Sequence, residues 1–519
     1  MKRILAGLIV VHRYLGVAFC LVFLIWFTSG IVMIFKRMPE YSPQERLARL
    51  PPLDAGAIRL TPQRAFDAAG LGGSPDRVLL TSLHGRPVYR FIVGSGSATV
   101  SAGDGTYLDS VEADGALALA GGLFPEHSGT VRWLGSNTEP DQWTIGNRFN
   151  ATGALHRVSL GDPAGTELYV AEATGEVVQK TDRRSRFWGY AGPVMHWFYF
   201  TPLRAGRAPL WNDLIVYGSV VGCLLCVLGL VIGAYRFSIS RRFLRATSMS
   251  PYVGWLRWHH YAGLLFGVIT LTWTFSGLLT MTPWELFPQG PAGVQVEAIR
   301  GDGVAVDRFT LPPAVAIGAF AQTVQAKEIE FIQFMGTPFY AASDGRRRFL
   351  VSADGGAPGV RAPFSRGELA VAATAAMAGQ PPAEVAWLTG YDSYYYDRTG
   401  DRPLPVLRAK FSDPDETWLY LNAADGSIVG GEVRGSRAER WLYQALHSFD
   451  FPGFYQVPWL WYPVIVGLSL GGVALSATSL VIAWRFLAGT ARRGRPKEAS
   501  DPAWPRPPAS PYPHTPDRS

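Results

Sequence analysis

Cysteine is nearly missing from this 519-residue chain: there are three, Cys20, Cys223 and Cys226. All three fall inside apolar runs, so no disulfide framework holds any water-facing part together. Cys223 and Cys226 have CxxC spacing, but in the middle of an apolar run they read as small packing residues. Charge is also sparse, at 17% of residues against 48% hydrophobic, which is low for a water-soluble domain of this size. The net charge of +7 comes mostly from the flanks of the apolar runs, so it carries no argument for nucleic acid. No glycine-rich nucleotide loop, catalytic triad or zinc-peptidase motif occurs, and Leu71-Gly72-Gly73 is only a loop signal. The chain thus shows no flavin or nicotinamide site of its own. Zinc or copper would want several Cys, His or carboxylate ligands at close spacing, and the apolar runs hold no such cluster.

Long apolar runs are what the chain does have. Four of them, at 4–35, 214–237, 261–281 and 464–486, reach the roughly 20 residues that a bilayer crossing needs. The first follows Lys2 and Arg3 but is too long for the core of a signal peptide, and no small-residue cleavage site follows it. It reads as an uncleaved anchor. Basic residues in short flanks set orientation. Arg236, Arg241, Arg242 and Arg245 join the second and third runs, and Arg485, Arg492, Arg493, Arg495 and Lys497 follow the fourth. These outvote Lys36 and Arg37, so both termini are expected in the cytoplasm and the two long intervening segments outside. The expected organisation is a span in 1–37, an external region in 38–195, a span in 196–240, a cytoplasmic loop in 241–254, a span in 255–283, a second external region in 284–446, a span in 447–490 and a disordered, proline-rich tail in 491–519.

The two halves repeat. His12-Arg13-Tyr14-Leu15-Gly16, followed by Trp26, Ser29 and Gly30, matches His259-His260-Tyr261-Ala262-Gly263, followed by Trp273, Ser276 and Gly277, at an offset of 247. A second block pairs His196, Phe198 and Phe200 with His447, Phe449 and Phe451 at an offset of 251. The external segments match at 251 as well: Pro62 with Pro313, Gly85 with Gly336, Tyr89 with Tyr340, Asp162-Pro163 with Asp413-Pro414, and Leu168-Tyr169 with Leu419-Tyr420. Colinearity of this length points to a tandem duplication. Each external segment opens with a proline-started helix such as Thr61–Ala69 and continues into alternating strands such as 88–93, 167–171 and 417–421. The expected fold is an α+β membrane protein: four transmembrane helices in two tandem repeats, with small α+β modules, two per external segment.

Ionisable groups at membrane depth are expensive and usually functional. Two parallel repeats related by an axis along the membrane normal place His12 opposite His259 on the cytoplasmic side and His196 opposite His447 on the external side. Opposed imidazoles are what six-coordinate haem iron needs, and bundle cores commonly house cofactors. One haem near each face would make an electron path across the membrane. A lone histidine near a helix end is more often an interfacial anchor; recurrence as two repeat-related pairs is what favours shared ligation. His260 aligns with Arg13 and is the alternative to His259, since adjacent residues point about 100° apart on a helix. Pro202, Pro209, Pro452 and Pro458 separate His196 and His447 from the apolar runs. His84, His127 and His156 have no repeat partners, and His514 falls in the tail. Arg157 and Arg408 pair at 251 and would either attract an anion or close salt bridges.

These blocks, with Trp258, the run Tyr391-Asp392-Ser393-Tyr394-Tyr395-Tyr396-Asp397-Arg398 and the segments 168–177 and 419–428, resemble the PepSY-associated transmembrane helix family. These are iron-regulated inner-membrane proteins that include siderophore-iron reductases. The resemblance implies four membrane helices, periplasmic PepSY domains and, in the reductase branch, bound b-type haem. The expected function is an oxidoreductase in the inner membrane, with two haem b groups held by His12, His259, His196 and His447, that reduces a periplasmic ferric siderophore and releases Fe(II). Its partners are membrane lipid, the chelate and an electron donor that the sequence does not reveal. The alternatives are reduction of another acceptor, such as copper or a flavin, and a non-catalytic module that binds a peptide, protease or transporter. The run 391–398 reads as strand packing or as a docking surface for the chelate.

Overall fold

The computed structural model describes residues 2–94, 96–146, 149, 153–238, 249–287 and 290–493. Arg241, Arg242 and Arg245 of the expected cytoplasmic loop lie outside the described residues, as do Arg495, Lys497 and the tail from residue 494. Among the described residues four helices are long and apolar enough to cross a membrane. Span 1 is Lys2–Phe35, span 2 Ala208–Arg236, span 3 Trp255–Leu279 and span 4 Pro458–Arg493. Spans 2 and 4 begin about two turns earlier than their apolar runs, because Pro209 and Pro458 sit in first turns, where the missing N–H breaks no helical bond. Spans 1 and 3 each pack against spans 2 and 4. The bundle is therefore a ring in which spans 1 and 3 face each other along one diagonal.

The segment after span 1 forms β1 (Arg77–Leu83), β2 (Arg86–Val93), β3 (Gly96–Ser101) and β4 (Tyr107–Leu108), then β5 (Arg132–Asn137), β6 (Leu155–Ser159), β7 (Glu167–Ala171) and β8 (Val177–Thr181). The segment after span 3 forms β9 (Ile329–Phe334), β10 (Thr337–Ser343) and β11 (Arg348–Ser352), then β12 (Glu384–Leu388), β13 (Val406–Lys410), β14 (Trp418–Asn422) and β15 (Ile428–Glu432). Two modules per segment are thus present, but the first modules of the two segments merge. Antiparallel pairing of β1 with β9, Val78 opposite Phe331, makes one seven-stranded sheet in the order β11-β10-β9-β1-β2-β3-β4. The other two sheets have four strands each.

Equivalent parts recur across the seam. His84-Gly85 and Met335-Gly336 both have positive φ, as a two-residue hairpin of mirror-image type I requires. The exposed His84 is therefore a turn residue. Helices Pro62–Ala69 and Pro313–Phe320 cover the same face of the sheet. The buried Tyr89 donates its hydroxyl proton to the Leu60 carbonyl at 2.9 Å, and Tyr340 donates to Leu311 at 2.7 Å.

After β8 and β15 the chain enters helical stretches at 183–197 and 434–448, each with a π turn, Tyr190–Val194 and Arg440–Ala445. Both stretches end on a left-handed phenylalanine, Phe198 (φ 53°) and Phe449 (φ 55°). His196 and His447 occupy the last turns before these stops. They do not open spans 2 and 4, as a domain boundary at 196 or 447 would place them; the sharp reversal and the prolines behind it make a separate hairpin that packs on spans 1 and 3.

The seam is tied by charge as well as by strand pairing. Arg46, in the helix that follows span 1, donates two hydrogen bonds of 2.8 Å to Glu328 in the second half. Burial would raise the Glu328 carboxyl, but the bonds from Arg46 outweigh it and hold the group below the usual glutamate range. A depressed carboxyl stabilises the fold above its ordinary pKa of about 4.3 and loses that contribution as pH falls through the lowered value. Glu328→Gln should cost about 3 kcal/mol at neutral pH, with the gap to the parent closing below about pH 4; thermal unfolding of the detergent-solubilised protein measures both.

Candidate functional site

Span 1 carries His12 and span 3 carries His259, so the diagonal arrangement brings them face to face. Their ring centroids are 6.4 Å apart. The second pair forms at the other end of the same two helices, where the hairpins bring His196 and His447 to 6.2 Å. All four rings are half-buried.

Each ring is anchored through Nδ1. His12 Nδ1 lies 3.3 Å from the Leu225 carbonyl and His196 Nδ1 lies 3.1 Å from the Trp26 carbonyl. A carbonyl only accepts, so both Nδ1 atoms carry the proton. The other two contacts are to hydroxyls: His447 Nδ1 to Ser276 Oγ at 3.0 Å, and His259 Nδ1 to Thr478 Oγ1 and Ser479 Oγ at 3.3 and 3.2 Å. Those hydroxyls already donate back to helix carbonyls, Ser276 to Trp273 and both Thr478 and Ser479 to Leu475. Their oxygens therefore accept, and Nδ1 again donates. Among the described residues none of the four Nε2 atoms makes a hydrogen bond. Each of the four rings thus commits Nδ1 to the protein and leaves Nε2 without a protein partner, and the rings lie in two close pairs. Metal-bound histidines characteristically donate their other N–H to a carbonyl or similar acceptor.

The spacing tests whether a metal group fits. An imidazole nitrogen binds a metal at about 2 Å and the ring centre lies about 1.2 Å behind it, so two trans imidazoles have centroids about 6.4 Å apart. Both pairs meet that distance. Space beside them is kept by glycine. A Cβ on Gly30 or Gly277 would stand 3.4 or 3.5 Å from Cε1 of His196 or His447, and one on Gly229 would stand 2.8 Å from Cε1 of His12. Two open apolar grooves lie on the bundle, about 500 Å³ including Trp26 and Phe198 and about 430 Å³ including Trp258 and Thr478; none of the four paired histidines lines either one. The indole N–H of Trp273, buried against Phe449, has no hydrogen-bond partner among the described residues. The donor set and its spacing are compatible with iron porphyrin, which His12 with His259, and His196 with His447, would hold.

The structure does not bring His260 to this site. Its Nδ1 contacts Ser250 Oγ at 2.8 Å and its Nε2 contacts the Gly233 carbonyl at 2.9 Å, so both nitrogens are engaged, one with the segment before span 3 and one with span 2. His156 is likewise engaged, contacting the Val111 carbonyl and Trp133. Arg157 and Arg408 close salt bridges, to Glu167 at 2.9 Å and to Asp392 at 2.7 Å. The tyrosine run packs inward: Tyr395 is fully buried and donates to the Pro403 carbonyl, and Tyr396 contacts Gln444 and Asp450 of the His447 hairpin.

The family model for the PepSY-associated TM region matches residues 9–485. The chain belongs to that family. The match takes in all four spans, the sheets between them and every one of the paired histidines. A comparison with curated proteins finds no match.

Reading the sequence alone missed Thr478 and Ser479, which lie outside the repeated blocks; their one signal is two adjacent hydroxyls within an apolar run. It also missed Gly229. His260→Ala removes a partner from the Gly233 carbonyl and from Ser250. It should lower stability by about 1–3 kcal/mol, read as thermal unfolding in detergent.

Proposed function

We propose that this family member is a haem-binding electron-transfer protein of the bacterial inner membrane that reduces a ferric siderophore on its periplasmic side. The observation that carries the reading is the two repeat-related histidine pairs, with ring centroids 6.4 and 6.2 Å apart and each Nδ1 held by the protein. His12 and His259 would hold one haem b, and His196 and His447 the other. Iron porphyrin held there would supply one-electron exchange.

The chain's own residues do the rest. The Nδ1 hydrogen bonds fix ring orientation and raise the basicity of Nε2. Fourteen residues of span 1 separate His12 from Trp26, whose carbonyl anchors His196; at 1.5 Å per residue that is about 21 Å, so the two sites lie towards opposite faces of the bilayer. The spans keep both sites in an apolar setting. The basic flanks support a reading with the termini in the cytoplasm and the sheets in the periplasm. Ferric iron is held tightly by hard oxygen ligands and ferrous iron much less so, and reduction would release the metal from its chelate. The electron donor, a cytoplasmic reductant or a quinol, would act at the His12–His259 end.

Protein purified after expression with ample haem should show a b-type reduced-minus-oxidised spectrum and two haems per chain. His259→Ala and His447→Ala should each lose one haem, whereas His260→Ala keeps both. A folded protein without b-type absorption would overturn the reading in favour of a non-catalytic binding module.

A further inference from the structure

The anchors of the outer histidine pair are matched between halves: Trp26 with Trp273, Ser29 with Ser276, Gly30 with Gly277, Phe198 with Phe449. Just beyond them the match ends. At the offset of 251, Asp450 stands where the first half has Tyr199, Arg440 where it has Gly189, Tyr396 where it has Ile145, and Gln444 where it has Pro193. In the first half a Cβ on Gly189 would meet the Trp143 ring at 2.9 Å, so that position is closed by apolar packing. In the second half the same place holds ionisable groups away from water.

Asp450 is 4% exposed and lies three residues beyond His447. Its Oδ2 is 3.1 Å from the Tyr396 hydroxyl, and that hydroxyl is 2.7 Å from Gln444 Oε1. A tyrosine has one proton to give. Donated to Gln444, it leaves the Tyr396 oxygen able to accept, and only a protonated Asp450 can then donate to it. If Asp450 is ionised, Tyr396 turns its proton to the carboxylate instead. The trio has two hydrogen-bond arrangements that differ by one proton on Asp450.

The surroundings act on that proton in opposite directions. Burial pushes the carboxyl up, while Arg398, Tyr396 and Arg440 pull it down, and the net direction is up. Arg398 Nη1 stands 3.4 Å from Asp450 Oδ1 and is on the half-exposed side. Arg440 donates to the Asp450 and Ser393 carbonyls and stacks 4.2 Å over the Tyr396 ring. Tyr443 and Tyr455 complete the groups that face it from the hairpin, with Asp392 and Glu439 further out. Three buried polar atoms here, Asp450 Oδ1, Arg440 Nη1 and the Tyr455 hydroxyl, lack hydrogen-bond partners among the described residues. Buried polar atoms of this kind are normally met by water.

We propose that Asp450 takes up one proton from water on the sheet side for each electron that arrives at the His196–His447 site, and returns it when the electron leaves. This rests on the haem reading above. One electron from a reductant such as a quinol converts iron(III) to iron(II), and the carboxylate becomes a carboxylic acid, so the charge added to the buried site is cancelled. Tyr396 and the Arg398 side give the route inward.

The test is a spectroelectrochemical titration of the purified holoprotein at several pH values. Two one-electron waves should appear. One should follow pH, its reduced-to-oxidised ratio changing about tenfold per pH unit, or about 59 mV for a one-electron couple. Asp450→Asn should abolish that slope and leave the other wave alone, while Asp450→Glu keeps it. Arg398→Gln, at a half-exposed position, should move the sloping region to higher pH and serves if the Asn variant does not accumulate. Holoprotein whose slope is unchanged in Asp450→Asn, or unmoved in Arg398→Gln, overturns this proposal alone. Absence of any b-type absorption overturns it together with the haem reading.

Discussion

An imidazole placed among apolar helices must find a use for both of its nitrogens, and that requirement organises this molecule. Four histidines meet half of it in the same way, by giving the Nδ1 proton to a helix carbonyl or to a hydroxyl whose own proton is already committed. The other half is left open: among the described residues Nε2 has no hydrogen-bond partner, and each ring centroid lies 6.4 or 6.2 Å from one of its own kind. His260 shows the contrast within one helix turn: both of its nitrogens are satisfied by protein, and it serves as a bolt between spans. His259 and His260 thus differ in their hydrogen-bond partners, although they are neighbours in sequence.

Much of this was legible in the residues. The four apolar runs and the recurrence at 247 and 251 point to the spans, the equivalent elements and the pairing of His12 with His259 and His196 with His447. The choice between His259 and His260 was not legible, since it depends on where Ser250 and Gly233 lie in space. Nor was the position of His196 and His447 outside the spans: nothing local announces that Phe198 and Phe449, bulky residues with positive φ, will end a helix there. The tyrosine run had an outward look on paper, because aromatic clusters at loops suggest docking. Its rings instead fill the space between the last sheet and the His447 hairpin.

The merging of the two first modules was hidden for a different reason. Edge strands carry no mark of their eventual partner, and β1 and β9 are more than 240 residues apart in the chain. Their pairing depends on the bundle holding both segments on the same side. The asymmetry around Asp450 was hidden by the repeat itself, since attention to matched residues passes over the unmatched ones.

The seven-stranded sheet also bears on how rigid the molecule can be. Because its middle seam joins β1 to β9, any swivel of one half against the other must break main-chain hydrogen bonds at Val78–Phe331 and strip Arg46 from Glu328. The sheet acts as a brace that joins the two halves through main-chain pairing. In a protein built in this way the two halves are held in one register, and a swivel between them would carry the cost of the whole seam.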